Sequence, residues 1–289
     1  MTPRSRRRAL VVCGPTAAGK SEVADGLAEG LSETFGTQIT TILVDSMQVY
    51  REIPIITNQG RTRPAEIAGI ISVADEWTVA RHREQAEELI GTLHAEIPFV
   101  LDAGTGMYLN AVVLEIPLAR KVPPGIRARA EELASGSENP RREARRQELE
   151  LAGASERGSI WEGDLRYDAD FIYLRPSRED LDRKIQARSS RIVREGLEEA
   201  ENLLESGVAL NPSARDAIGV KEMLLHASGA ISDDEAEEAI ATRSRRLARR
   251  QMRWFDKLVR NLPDSTRLLV AKNAAEAKCK HAMHDKMAP

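Results

Sequence analysis

The chain has 289 residues, 42% of them hydrophobic and 30% charged, with 42 Lys and Arg against 45 Asp and Glu and a formal net charge of −3. That length accommodates one large α/β core with a smaller insertion, and the near balance of charge excludes a whole-chain polycation, so any nucleic-acid contact must come from local basic clusters. Two cysteines, Cys13 and Cys279, exclude a disulfide framework and fit a reducing, cytoplasmic setting; no apolar run nears the roughly 20 residues that span a bilayer, and the stretch after Arg4, Arg6, Arg7 and Arg8 is too short for a secretory signal.

Residues 9–13 read as a strand. Directly after them, Gly14-Pro15-Thr16-Ala17-Ala18-Gly19-Lys20-Ser21 fits the phosphate-loop pattern G-x-x-x-x-G-K-[ST] at every fixed position. Residues 21–31 then read as a helix. Such a loop surrounds a di- or triphosphate with backbone N–H groups and a helix N-terminus. Lys20 would neutralise the terminal phosphates, and the Ser21 hydroxyl would join a Mg²⁺ shell. A second strand, 39–44, runs into Asp45-Ser46-Met47-Gln48-Val49-Tyr50. Asp45 at a strand's carboxyl end can hold Mg²⁺ through water, act as a general base, or simply cap the next turn.

A helical pattern over 79–95 precedes a third strand, 98–101, closing at Asp102. The following Gly104-Thr105-Gly106 permits close backbone approach, and Thr105 supplies a hydroxyl for a bridging diphosphate oxygen. Asp102 is alternatively the Mg²⁺-ordering acid of a phosphate-loop kinase. Strands alternating with helices predict a mainly parallel, P-loop NTPase-like α/β sheet flanked by helices. Ligands of such sheets gather at the carboxyl ends of the strands, where these three polar loops converge.

Residues 117–165 are dense in charge, with Arg127, Arg129, Arg141, Arg142, Arg145 and Arg146. They read as a helical insertion; the alternative is a solvated connector. Residues 171–174 return as a strand, and 182–204, 214–226 and 233–262 read as helices making a helical C-terminal part. The core would thus comprise 1–116 and 166–270, with 271–289 a loose tail. On the last helix Ile240, Leu247, Trp254 and Leu258 form an apolar stripe beside Arg246, Arg249, Arg250, Arg253 and Lys257. That basic ridge suits phosphates of a small ligand or a polynucleotide, or is a solvated face paired with the acidic residues 233–238.

Taken in order, these strings resemble one family, the tRNA dimethylallyltransferases, over most of the chain. Asp45-Ser46-Met47-Gln48-Val49-Tyr50-Arg51 is similar to the family's most diagnostic string, and Gly104-Thr105-Gly106-Met107-Tyr108-Leu109 to its third. Ala217-Ile218-Gly219-Val220-Lys221-Glu222 resembles a further segment, and residues 245–255 its Arg-rich Gln-x-x-Trp-Phe helix. The resemblance implies prenyl transfer from dimethylallyl diphosphate to the exocyclic amine of the adenosine beside a tRNA anticodon. It implies Asp45, Thr105 and Lys20 as catalytic residues, the loop Gly14 to Ser21 with Arg249 on the diphosphate, and Mg²⁺ at Ser21. For tRNA it implies Asp45, Ser46, Met47, Gln48, Thr105, Arg246 and Arg250, with Arg127, Arg141, Arg142 and Arg145 on the anticodon stem-loop. A monomer without membrane contact is expected. The family's Pro-His-His-Leu segment is absent, 65–72 standing in its place, and Ile56-Thr57-Asn58-Gln59 replaces its Gly-Thr-Ala-Lys element. Transfer to a free adenine nucleotide therefore stays open, as do a small-metabolite kinase and a non-catalytic tRNA-binding relative.

Overall fold

A computed structural model describes residues 6–118, 122–137, 140–153 and 159–285, without the side chains of Pro124, Pro140, Arg141, Arg142 and 280–285. Its centre is a five-stranded sheet in the order β2-β3-β1-β4-β5, built from β1 (Arg8–Cys13), β2 (Thr41–Val44), β3 (Phe99–Ala103), β4 (Asp168–Leu174) and β5 (Leu268–Ala271). Every pairing is parallel. Because strand side chains alternate between faces, each strand feeds two apolar layers. Ala9, Val11 and Cys13 join Phe99, Leu101, Phe171 and Tyr173 on one face. Leu10 and Val12 join Val100, Ile172 and Leu174 on the other.

Helices cover both faces, as a sheet buried on both sides requires. The first layer is closed by α2 (Val79–Thr92), α3 (Gly106–Val113), α6 (Arg178–Glu195), α7 (Leu197–Ser206), α8 (Pro212–Arg215), α9 (Val220–Ala227) and α10 (Asp233–Arg260). The second is closed by α1 (Lys20–Phe35) and α11 (Ala274–Asp285), through Val23, Ala24, Ala28, Ala274 and Ala277. Between α3 and β4, α4 (Pro124–Ala134) and α5 (Pro140–Leu151) pack on each other through Ala130, Ala134 and Ala144.

The expectation of a loose tail from 271 is corrected: the chain there completes β5 and forms α11 against α1. The reason is coverage: Ala274 and Ala277 of α11 join Val23, Ala24 and Ala28 of α1 over Ile172 and Leu174 on the second face. The 182–204 pattern divides into α6 and α7 at Gly196, and 214–226 into α8 and α9 at Gly219. The third strand runs on through Asp102 to Ala103, and α3, unread in the sequence, follows it at once. Helix α10 is 28 residues long because both ends are specified. Ser232 and Glu235 form a reciprocal capping box, acids fill the first turn, and Lys257 and Arg260 sit in the last. Among the described residues no helix is long and apolar enough to cross a membrane.

Register sets the site. Val12 pairs with Asp102, Cys13 with Ala103 and Val44 with Ala103, so the strands end level and their loops emerge side by side.

Candidate functional site

The three loops open into a cleft of about 1050 Å³ bounded by α6 and α10. In the phosphate loop Gly19, at φ 92°, adopts a left-handed conformation that a side chain would disfavour. That turn starts α1 and leaves Lys20 at the cleft floor, where Nζ donates to the Pro15 carbonyl at 2.9 Å. Burial lowers the Lys20 pKa, an effect opposed first by the Asp102 carboxylate and then by Asp45. The Ser21 hydroxyl donates to Asp102 Oδ2 at 2.8 Å. Asp102, the acid a kinase would use, also receives Arg61 Nη1 at 3.0 Å.

Asp45 divides its two oxygens between structure and cleft. Oδ1 accepts from the Met47 and Gln48 amides at 2.8 and 3.3 Å, closing the turn after β2. Oδ2 lies so close to Gly104 that a Cβ there would sit 2.5 Å from it. Turn capping and an exposed acceptor are thus both properties of one side chain. Gly104 and Thr105 donate their amides to the Val44 carbonyl at 3.1 and 3.2 Å, and Thr105 Oγ1 accepts from the Ser46 amide at 3.1 Å. These bonds hold Asp45 and Thr105 as one unit. Gly104→Ala is accordingly expected to lower turnover about 100-fold by displacing Asp45, an ångström-scale misplacement, with little change in Tm. Steady-state rates alongside thermal melts check this.

The basic wall comes from two helices. On α10, residues 243, 246, 247, 250, 251 and 254 share the cleft face at helical spacing. Arg246 and Arg250 are exposed on it and form no ion pair among the described residues. Arg249, expected on the diphosphate, is a correction: it stands about 200° around the helix from Leu247 and does not line the cleft. Gln251 was missed in the sequence. It accepts from the Thr16 amide at 2.8 Å and donates to the Gly104 carbonyl at 2.7 Å, joining the first loop to the third.

Helix α6 supplies three further cations that the sequence reading missed, Lys184, Arg188 and Arg191. Their spacing of four and three places them on one helical face, a signal available in the sequence. Arg188 donates to the Thr16 hydroxyl inside the phosphate loop. Burial lowers its pKa to about 10, partly offset by Asp45. Arg191 donates to Asn58. Seven basic side chains face four acidic ones across the cleft, so its field favours an anion. Met47, Ile218, Leu247 and Trp254 contribute an apolar stretch to the same lining.

The insertion's arginines are placed elsewhere. Arg127 pairs with Glu76 at 2.8 Å and Glu131 at 3.2 Å, and Arg145 pairs with Glu148. Neither lines the cleft. The side chains of Arg141 and Arg142 lie outside the described residues.

Comparison with known proteins finds one family by sequence and by fold. A model of the IPP transferase family matches residues 48–156 and 138–258. The chain is 58% identical to the tRNA dimethylallyltransferase of Rubrobacter xylanophilus, covering 96% of this chain and 97% of that one. It is 31% identical to the tRNA dimethylallyltransferase of Gloeothece citriformis, over 85% and 87%. Among solved structures, the tRNA isopentenylpyrophosphate transferase of Bacillus halodurans superposes with a TM-score of 0.69 at 25% identity, covering 98% and 96%. A eukaryotic dimethylallyltransferase acting on tRNA shares the fold with a TM-score of 0.70 at 22% identity, covering 96% and 77%.

Proposed function

The chain belongs to the IPP transferase family, and from that premise we propose that it transfers a dimethylallyl group from dimethylallyl diphosphate to the N6 amine of the adenosine beside a tRNA anticodon. The observation that carries this reading is the joint placement of Asp45, Thr105 and the phosphate loop at one cleft floor. The allyl carbon–oxygen bond breaks, its electron pair leaves on diphosphate, and a carbon–nitrogen bond forms to N6. The proton released by N6 goes to Asp45 Oδ2.

An exocyclic amine is a weak nucleophile, so placing it in line with the allyl carbon supplies much of the rate. Asp45 receives that amine, and the Thr105 hydroxyl, whose oxygen is held by the Ser46 amide, serves the bridging oxygen. Lys20 and Arg188 stabilise the charge that grows on the leaving group. Met47, Ile218, Leu247 and Trp254 suit the short branched hydrocarbon. Arg246 and Arg250, exposed on the rim and without an ion pair among the described residues, suit a polynucleotide backbone more than a free nucleotide. The target base would have to leave its stack to reach Asp45. We assign the activity to a single chain, since one copy supplies every side chain invoked, and to the cytoplasm, since the proposed acceptor is tRNA.

Mg²⁺ is the cofactor of this proposal. Among the described residues no group of three or more His, Cys, Asp or Glu could hold a metal, which suits an ion carried in by the diphosphate. Ser21 fits it, because its proton is given to Asp102 and its oxygen lone pairs stay available. When bound, the ion would neutralise diphosphate charge.

Mass spectrometry of unmodified tRNA and of AMP, each incubated with dimethylallyl diphosphate and Mg²⁺, tests the proposal. A prenyl mass gain on tRNA adenosine is expected. A gain on AMP alone would move the acceptor to free nucleotides, and none on either would sink the transferase reading.

A further inference from the structure

Behind the phosphate loop lies a buried ionic network that the transfer chemistry does not use directly. Arg61, whose side chain is 9% exposed, reaches two carboxylates at once: Asp25 of α1 at 2.5 Å and Asp102 of β3 at 3.0 Å. Asp25 is further held by the Thr62 amide and hydroxyl, at 3.0 and 2.8 Å. The loop bearing Arg61 is therefore clamped to α1 independently of the cleft. On the other side, the oxygen of Asp102 that meets Arg61 is the one that accepts the Ser21 proton.

We propose that Arg61 is a positioning residue for the divalent cation, acting through Asp102 to fix the Ser21 hydroxyl with its proton turned to Asp102 and its lone pairs free at the cleft floor. The physical argument is one of competition. An unpaired Asp102 beside Ser21 would be a strong anionic ligand and could draw the cation down from the diphosphate to itself. With a guanidinium already on that oxygen, Asp102 keeps its hold on the Ser21 proton yet offers less to a second cation. A planar guanidinium suits this post because it spans two carboxylates with fixed geometry, which a lysine ammonium does not. Groups that orient a metal's ligands commonly change metal affinity about 10–100-fold when removed.

The inference rests on the Mg²⁺ reading above, and its test needs no turnover. Inorganic diphosphate binding is measured by calorimetry with Mg²⁺ titrated in, and again in chelator. Arg61→Gln alone leaves two buried carboxylates uncompensated and is expected to unfold easily. The charge-balanced double variant Arg61→Gln, Asp25→Asn restores the network's net charge and is the variant to use, with its Tm recorded. Metal-free diphosphate affinity is expected to stay within twofold of wild type, because Lys20 and Arg188 are untouched. The Mg²⁺ concentration giving half-maximal enhancement is expected to change about tenfold or more. Equal loss with and without Mg²⁺ would show a merely structural role and overturn the proposal, as would an unchanged Mg²⁺ titration. A wild-type chain that binds diphosphate identically with and without Mg²⁺ would overturn the cofactor reading itself, before any variant is made.

Discussion

Asp45→Asn is expected to lower kcat about 10²–10⁴-fold, the range lost with a general base, while the KM for the prenyl diphosphate stays near wild type. The variant is informative because the two carboxylate oxygens have separate tasks. Asparagine keeps an oxygen at the Oδ1 position, so the Met47 and Gln48 amides retain their acceptor and the turn survives. At the Oδ2 position it presents an NH₂ group beside Gly104, which cannot take a proton from an incoming amine. Single-turnover kinetics on tRNA, with diphosphate binding measured in parallel, separates the outcomes. A fall of less than tenfold would reassign Asp45 to positioning, and a matching loss of diphosphate affinity would show that the cleft floor had moved.

Lys20→Met is expected to lower kcat about 10²–10³-fold, as for removal of one preorganised charge partner of a transition state, and to weaken diphosphate binding with it. Its effect on the stability of the unliganded protein should be small. Burial lowers the Lys20 pKa below its unfolded value, so at neutral pH the charged side chain opposes folding. Stability therefore rises as pH climbs from the folded-state pKa of Lys20 toward the ordinary lysine value, where the unfolded chain binds more protons than the folded one. Methionine removes that slope together with the Lys20–Pro15 hydrogen bond, which is worth about 1 kcal/mol. The two changes offset, and Tm should stay within about 3 °C of wild type. Melts across alkaline pH check it; a large Tm loss would mean that the loop depends on Lys20 for its shape.

Most of the chemistry proposed for the cleft was readable because it is carried by short contiguous strings. Lys20 and Ser21 stand in a pattern whose spacing is dictated by the turn that wraps a phosphate, Asp45 follows β2 directly, and Thr105 follows β3 after one glycine. Parallel pairing then places such loops together whatever the details of packing. The α10 ridge was legible as a basic face, but not which arginines look inward. That depends on how α10 is rotated against α6 and β4, which Phe255, Leu258 and Ala248 decide by burial. Arg249 was misplaced for that reason.

What the chain order could not disclose are the contacts between distant segments. Gln251 bridges two loops that lie 235 and 147 residues away, Arg188 reaches Thr16 across 172 residues, and Arg61 reaches Asp25 and Asp102. The polar stretch after Val270 packs through small alanines at 271, 274 and 277, a weak local signal, yet it closes one face of the sheet. Local sequence by itself determined the first strand–loop–helix unit, the β2, β3 and β4 strands and the reactive groups at the ends of β1, β2 and β3, because those obey backbone geometry and hydrophobic period within a few residues. Only the tertiary structure decided which cations surround the cleft, since burial and ion pairing depend on neighbours that the chain brings together when the sheet and its two helical layers have formed.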